Sequence, residues 1–137
     1  MTGILVVTHA DLGNALIETA QLILGESQEN INFVSINITE SPESLRKKIK
    51  QGISKVQTDN GVLILTDMFG GTPSNLSYSF LKEGKVEVIS GVNLPILLKA
   101  INSRGKMDME KLTSSIIEHG KRSISLASGI LKGTKRV

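Results

Sequence analysis

Apolar and polar positions follow two alternating patterns along the chain. Gly3 to Thr8 (GILVVT) is an unbroken apolar run rich in β-branched residues, the pattern of a strand buried on both faces. From Asp11 to Leu24, Leu12, Leu16, Ala20 and Ile23 recur at helical spacing, and Gly25 supplies a stop. Residues 31 to 38 (INFVSINI) read as a second strand. Ser41-Pro42 then opens a helix, with Ser as cap and Pro in the first turn, and Leu45, Ile49, Ile53 and Val56 mark its inner stripe. After an Asn60-Gly61 turn, Val62 to Thr66 (VLILT) is the most apolar strand. The loop DMFGGT leads to a helix start at Thr72-Pro73, which the pattern extends to about Lys82, with Gly84 as its end. Val86 to Ser90 (VEVIS) is a fourth strand. A helix begins near Pro95, and another covers residues 109 to 119, with Gly120 expected to close it.

Strand followed by helix, four times over, predicts an α/β fold: an open parallel four-stranded sheet, order 2-1-3-4, with helices on both faces. No linker, repeat or low-complexity stretch interrupts it, so residues 1–130 are expected to form a single domain and 131–137 a basic tail. Between them, Arg122 to Ala127 (RSISLA) alternates polar and apolar. That pattern fits an antiparallel edge strand, open to donation to a partner chain, as well as it fits a helix extension.

Composition narrows the chemistry. The 137 residues include no Cys and only two His, which removes thiolate nucleophiles, sulfur-bound zinc and multi-histidine metal centres. The formal charge of +3 is mild, and the few aromatic residues are not interleaved with basic ones, so nucleic-acid binding is not expected. The N-terminus lacks a basic region, and no segment approaches the ~18 apolar residues of a membrane span, so a cytoplasmic location is expected.

In an open parallel sheet, ligands bind beyond the carboxyl ends of the strands where the strand order reverses. If strands one and three are neighbours, His9 and Asp67 stand side by side at that point. A neutral imidazole is a nucleophile near neutral pH. A carboxylate on one ring N–H fixes the tautomer, frees the other nitrogen and stabilises the cation formed on attack. Gly70 and Gly71 permit unusual backbone angles and close approach, and Thr72 adds a hydroxyl where a helix begins. Such a loop would cradle a phosphoryl group on His9, with no cofactor or metal required. His119, in a last helical turn, fits a structural role in which a cation suits the helix dipole. The nucleotide loop G-x-x-x-x-G-K-[ST], the dinucleotide motif G-x-G-x-x-G and the hydrolase elbow G-x-S-x-G are all absent.

Three blocks carry a family resemblance: V-V-T-H-A around His9, D-M-F-G-G-T-P-S-N from Asp67 to Asn75, and V-I-S-G-V-N-L-P from Val88 to Pro95. Over about residues 1–127 the chain resembles the enzyme IIA component of the mannose–fructose–sorbose class of the bacterial sugar phosphotransferase system. The resemblance implies that His9 receives phosphate on Nε2 from the histidine-containing phosphocarrier protein and passes it to a IIB histidine for sugar uptake. It also implies that Asp67 holds Nδ1, and that Thr72 and the loop amides from Met68 and Phe69 to Gly70 and Gly71 contact the phosphoryl group. It further implies a homodimer exchanging a fifth, antiparallel strand. IIB is expected on a separate chain. Phe69 stands where some relatives have Trp, a difference expected to alter partner packing modestly.

Two other readings use the same residues. One is a regulatory phosphorelay or interaction module built on His9. The other is a receiver-like domain phosphorylated on Asp67, although strand one is followed by His9 and a lone Asp11 rather than by an acidic pair.

Overall fold

A computed structural model describes residues 1–133. Four parallel strands form one sheet: β1 (Gly3–His9), β2 (Ile31–Ile36), β3 (Val62–Thr66) and β4 (Val86–Ser90), in the order β2-β1-β3-β4. The predicted fold class and strand order are those observed. β1 is central, with Val7 opposite Val34 on one side and Thr66 on the other.

Alternate residues of the strands face opposite layers. Ile4, Val6, Leu63 and Leu65 pack under α1 (Leu12–Leu24), α4 (Leu94–Ser103) and α5 (Met109–Arg122). Leu5, Val7, Val62 and Ile64 pack under α2 (Pro42–Val56) and the short α3 (Thr72–Ser77). Both faces are covered, which is why β1 and β3 read as continuous apolar runs. Burying a Val, Leu or Ile contributes about 1.5–3 kcal/mol. Ile4, Leu5, Val6 and Val7 are all fully buried, so the strand that ends in His9 is among the costliest elements to disturb.

Helix starts follow the side chains expected of them. Ser41 accepts the Ser44 N–H, Asn93 the Ile96 N–H and Asp108 the Lys111 N–H. Gly25 ends α1 at φ 75°.

Several expected boundaries shift. Of the expected α1 stripe, Ala20 is buried and Leu16 packs on the core, but Leu12 and Ile23 are exposed, and Gly13 and Ile17 are buried in their place. The cause is Gly13, where a Cβ would lie 3.2 Å from both Val6 Cγ1 and Val6 O; the helix approaches the sheet through its glycine. β2 stops at Ile36, because Asn37 turns the chain by accepting the Thr39 N–H and hydroxyl. α3 ends at Ser77 and passes into a 3-10 turn over Tyr78–Phe80 instead of reaching Lys82, which pairs its backbone with Val86. Gly120 does not close α5. The helix runs on to Arg122, and Gly120 lies where a Cβ would meet Ile96 Cδ1 at 2.9 Å.

The segment after α5 pairs with no strand of its own sheet. Residues 124–126 are irregular, with Leu126 in extended backbone, and Ile124 and Leu126 are 84% and 75% exposed. A further short helix, α6 (Ala127–Leu131), follows and was not foreseen in the pattern. Of the expected basic tail, residues 134–137 lie outside the described residues. At the opposite end of the sheet, Arg104 is 3% exposed. It donates to the carbonyls of Thr2, Glu29 and Asn30, tying the starts of β1 and β2 to the end of α4. Burial lowers its pKa, partly offset by Glu29.

Candidate phosphoryl-transfer site

His9 is the last residue of β1, in register with Ile36. The chain must leave the sheet at once to begin α1, and it does so through Ala10, at a positive φ of 48°. Below the turn, buried Thr8 Oγ1 accepts the Gly13 N–H at 2.8 Å and fixes the first turn of α1.

Because β1 and β3 are neighbours, Asp67 emerges beside His9. Its Oδ2 accepts the His9 backbone N–H at 2.9 Å and lies 2.7 Å from His9 Nδ1, while its Oδ1 accepts the Met68 N–H at 3.0 Å. Burial tends to raise the Asp67 pKa. The two donors of His9, the partial charge of its ring and the Met68 N–H together outweigh burial and hold it below the usual carboxylate range. With Nδ1 engaged, Nε2 is the ring nitrogen left free of Asp67. The His9 side chain is 40% exposed against 11% for Asp67, so the arrangement is a reachable ring on a shielded carboxylate.

The glycine loop lies against this ring. A Cβ on Gly71 would come within 3.0 Å of His9 Cε1 and 3.3 Å of Met68 Cγ, so only glycine fits there without displacing the imidazole. Gly70 adopts φ 82°, a conformation that favours glycine. Thr72, half-buried, is the first residue of α3. Met68 and Phe69 are exposed, and the Phe69 ring leans on Tyr78 with centroids 6.5 Å apart. On the other side of His9 a recess of about 450 Å³ opens, lined by Ala10, Ile36, Asn37 and the exposed Ile38 among others. The imidazole thus lies between the glycine of the loop and a largely apolar recess.

All the residues singled out in the sequence, His9, Asp67 and Met68 to Thr72, are contributed by this one edge. Asp11 is exposed and approaches Asn14 rather than the His9–Asp67 pair. His119 sits in the last turn of α5, where its carbonyl accepts the Ser123 hydroxyl. Sequence reasoning missed a cluster of hydroxyls under the loop: Thr66, Ser74 and Ser90, with Tyr78 at its margin. Its signal was the polar residue closing each of two apolar strands, Thr66 on β3 and Ser90 on β4. Among the described residues no group of three or more His, Cys, Asp or Glu is placed to hold a metal ion, and no helix is long and apolar enough to cross a membrane.

Comparison with known proteins gives the same direction. The family described as "PTS system fructose IIA component" matches residues 3–117. The fructose-specific EIIA component of Bacillus subtilis is 31% identical over 136 residues, covering 98% of this chain and 92% of the relative. The mannose-specific EIIAB component of Escherichia coli is 32% identical over 123 residues, covering 88% of this chain but only 38% of that longer protein. The crystal structure of the phosphotransferase component EIIA from Streptococcus agalactiae superimposes with a TM-score of 0.82 at 26% identity, covering 93% of this chain and 98% of that one. The EIIA proteins of this family are phosphotransferases of the sugar phosphotransferase system. With a family match spanning most of its length and its fold shared with a solved EIIA structure, the chain belongs to the EIIA family of the mannose–fructose–sorbose class.

Proposed function

We propose that His9 is the phosphoryl carrier of this chain, taking the group from the histidine-containing phosphocarrier protein and passing it to a histidine of a IIB component. The observation that carries this reading is the 2.7 Å contact between His9 Nδ1 and Asp67, which commits one ring nitrogen and leaves the other accessible. In the transfer, the lone pair of neutral Nε2 attacks phosphorus as the bond from phosphorus to the donor's histidine nitrogen breaks. The proton on Nδ1 stays with the ring, held by Asp67, and balances charge on the phosphorylated imidazole. Phosphoryl transfer proceeds through a loose transition state in which alignment and charge stabilisation do most of the catalysis. The backbone N–H groups of Phe69 to Gly71 and the Thr72 hydroxyl supply that stabilisation without a metal or cofactor, the Met68 N–H being held by Asp67.

The exposed Met68, Phe69 and Ile38 suit a partner that covers the ring and excludes water. A cytoplasmic site of action follows from such partners. The exposed 124–126 segment supports the further reading that residues 1–130 act as one domain of a homodimer, with this segment added antiparallel to the sheet of a second copy. A receiver-like role for Asp67 is disfavoured, because both of its oxygens already accept hydrogen bonds.

The deciding experiment is phosphorylation with phosphoenolpyruvate and the general proteins of the system. Wild type should gain an acid-labile, base-stable phosphate, and His9→Ala should gain none. A phosphate of that kind on His9→Ala would refute the assignment.

A further inference from the structure

Three hydroxyls meet beneath the loop that follows Asp67. Ser74 Oγ lies 2.5 Å from the Met68 carbonyl, 2.6 Å from Thr66 Oγ1 and 2.9 Å from Ser90 Oγ, and Thr66 Oγ1 is 2.9 Å from Ser90 Oγ. Ser74 and Thr66 have no solvent exposure. A carbonyl can only accept, so the Ser74 proton goes to Met68. Ser74 then acts toward its two neighbours only as an acceptor. The Thr66 and Ser90 protons remain for the three contacts among the hydroxyls. Protons therefore run from the ends of β3 and β4 toward Ser74, and from Ser74 to the loop. The Gly91 and Val92 N–H groups, both bonded to the Thr66 carbonyl at 2.9 Å, keep the two strand ends together.

The Met68 carbonyl is thereby drawn into the interior. No peptide bond among the described residues is cis, and in a trans peptide the carbonyl and the next N–H point opposite ways. The Phe69 N–H is consequently turned outward, on a loop whose Gly71 lies against the His9 ring. We propose that Ser74, held by Thr66 and Ser90, is a positioning residue for phosphoryl transfer: it sets the plane of the Met68–Phe69 peptide and so presents the Phe69 N–H to the phosphoryl group on His9. This rests on His9 being the carrier. It goes beyond that reading in assigning a role to side chains that touch neither the imidazole nor the phosphate.

The test uses the full chain with the phosphocarrier protein and compares wild type with Ser74→Ala and with the double variant Thr66→Val/Ser90→Ala. Two quantities are read: the split between kcat and KM for the phosphocarrier, and the shift of the Phe69 amide in 1H–15N spectra on phosphorylation. Ser74→Ala should leave KM within about twofold and lower kcat about tenfold, below the ~100-fold expected for deleting a transition-state donor outright. It should also abolish most of the Phe69 shift, a signature that a role confined to folding α3 would not move. The double variant should show both effects in weaker form. Wild-type kcat and a full Phe69 shift in Ser74→Ala would overturn the inference and leave His9 untouched. If Ser74→Ala does not fold, the same two wild-type results in the double variant overturn it. A wild-type chain that takes no phosphate on His9 removes both readings together, and is told apart by failing before any variant is compared.

Discussion

Asp67 Oδ2 serves His9 twice, accepting its backbone N–H at 2.9 Å and engaging its ring Nδ1 at 2.7 Å. The carboxylate therefore locates the end of β1 and orients the imidazole with the same oxygen. Replacing it with an amide separates the two roles. In Asp67→Asn the side-chain oxygen can still take the backbone N–H, but it no longer carries the charge that stabilises a phosphorylated ring. The fold should persist while phosphoryl transfer slows by about 10²-fold, within the range for a group that assists the reacting side chain. Single-turnover transfer from the phosphocarrier protein measures this, alongside a circular dichroism spectrum unchanged from wild type.

The same contacts make stability depend on pH in a predictable direction. The folded state holds Asp67 below its usual pKa, so it binds that proton less tightly than the unfolded chain, where an Asp titrates near about 3.9. The stabilisation from Asp67 is therefore complete above that value and is lost as pH falls through the lower, folded pKa. Urea midpoints of wild type and Asp67→Asn, followed from about pH 6 to about pH 2, should converge at the acid end. A gap that widens toward acid would contradict the sign.

Gly71→Ala tests the loop. The backbone there is extended, at φ −86° and ψ 168°, so alanine meets no conformational penalty. Its Cβ, however, would lie 3.0 Å from His9 Cε1. The expected outcome is a near-normal melting temperature with at least tenfold slower phosphorylation, a displacement of the ring costing on the order of 10²-fold at most. A variant with normal kinetics would show that the ring can give way at no cost.

Arg104 should behave in the opposite way. It sits at the amino ends of the strands, across the sheet from His9, and satisfies three carbonyls that face little water. Arg104→Met removes these bonds; the Asn30 carbonyl keeps the Ile4 N–H, while those of Thr2 and Glu29 lose the guanidinium, at about 1–3 kcal/mol for each group fully deprived. We expect a loss of about 3 kcal/mol, roughly 10 °C in melting temperature, with the phosphorylation rate of the folded fraction unchanged. Thermal denaturation and a transfer assay at low temperature check the two halves of this statement.

The sheet and the His9–Asp67 pair are legible in the sequence because they depend on runs of side chains. Six and five consecutive apolar-rich positions announce β1 and β3, and the residues that follow them must meet if those strands are neighbours. The features that were not legible depend on glycine and on hydroxyls. Gly13 adds nothing to a hydrophobic pattern and Gly120 reads as a stop, yet each is where a helix closely approaches a neighbouring side chain, Val6 and Ile96. With Gly13 counted as a contact, α1 turns by a fraction of a turn, and Leu12 and Ile23 leave the core. Likewise Ser74 looked like one more polar residue in a helix start. Its neighbours Thr66 and Ser90 are adjacent only through strand pairing, which periodicity within a single segment cannot reveal. Arg104 was missed for a related reason: three of its four partners are backbone carbonyls, and the fourth is the neutral Gln28 side chain.

Ala10 holds a backbone conformation that L-residues other than glycine adopt at a cost of about 1–2 kcal/mol. That cost rises for a β-branched side chain, so the position directly after His9 is restricted to a few small residues, whatever partner meets the site. In a saturation library scored only for abundance of folded protein, Ala10 should stand out as an intolerant surface position, with Gly, Asn and Asp as the survivors. The constraint on the sharp exit from β1 would then be visible with no assay of phosphate at all.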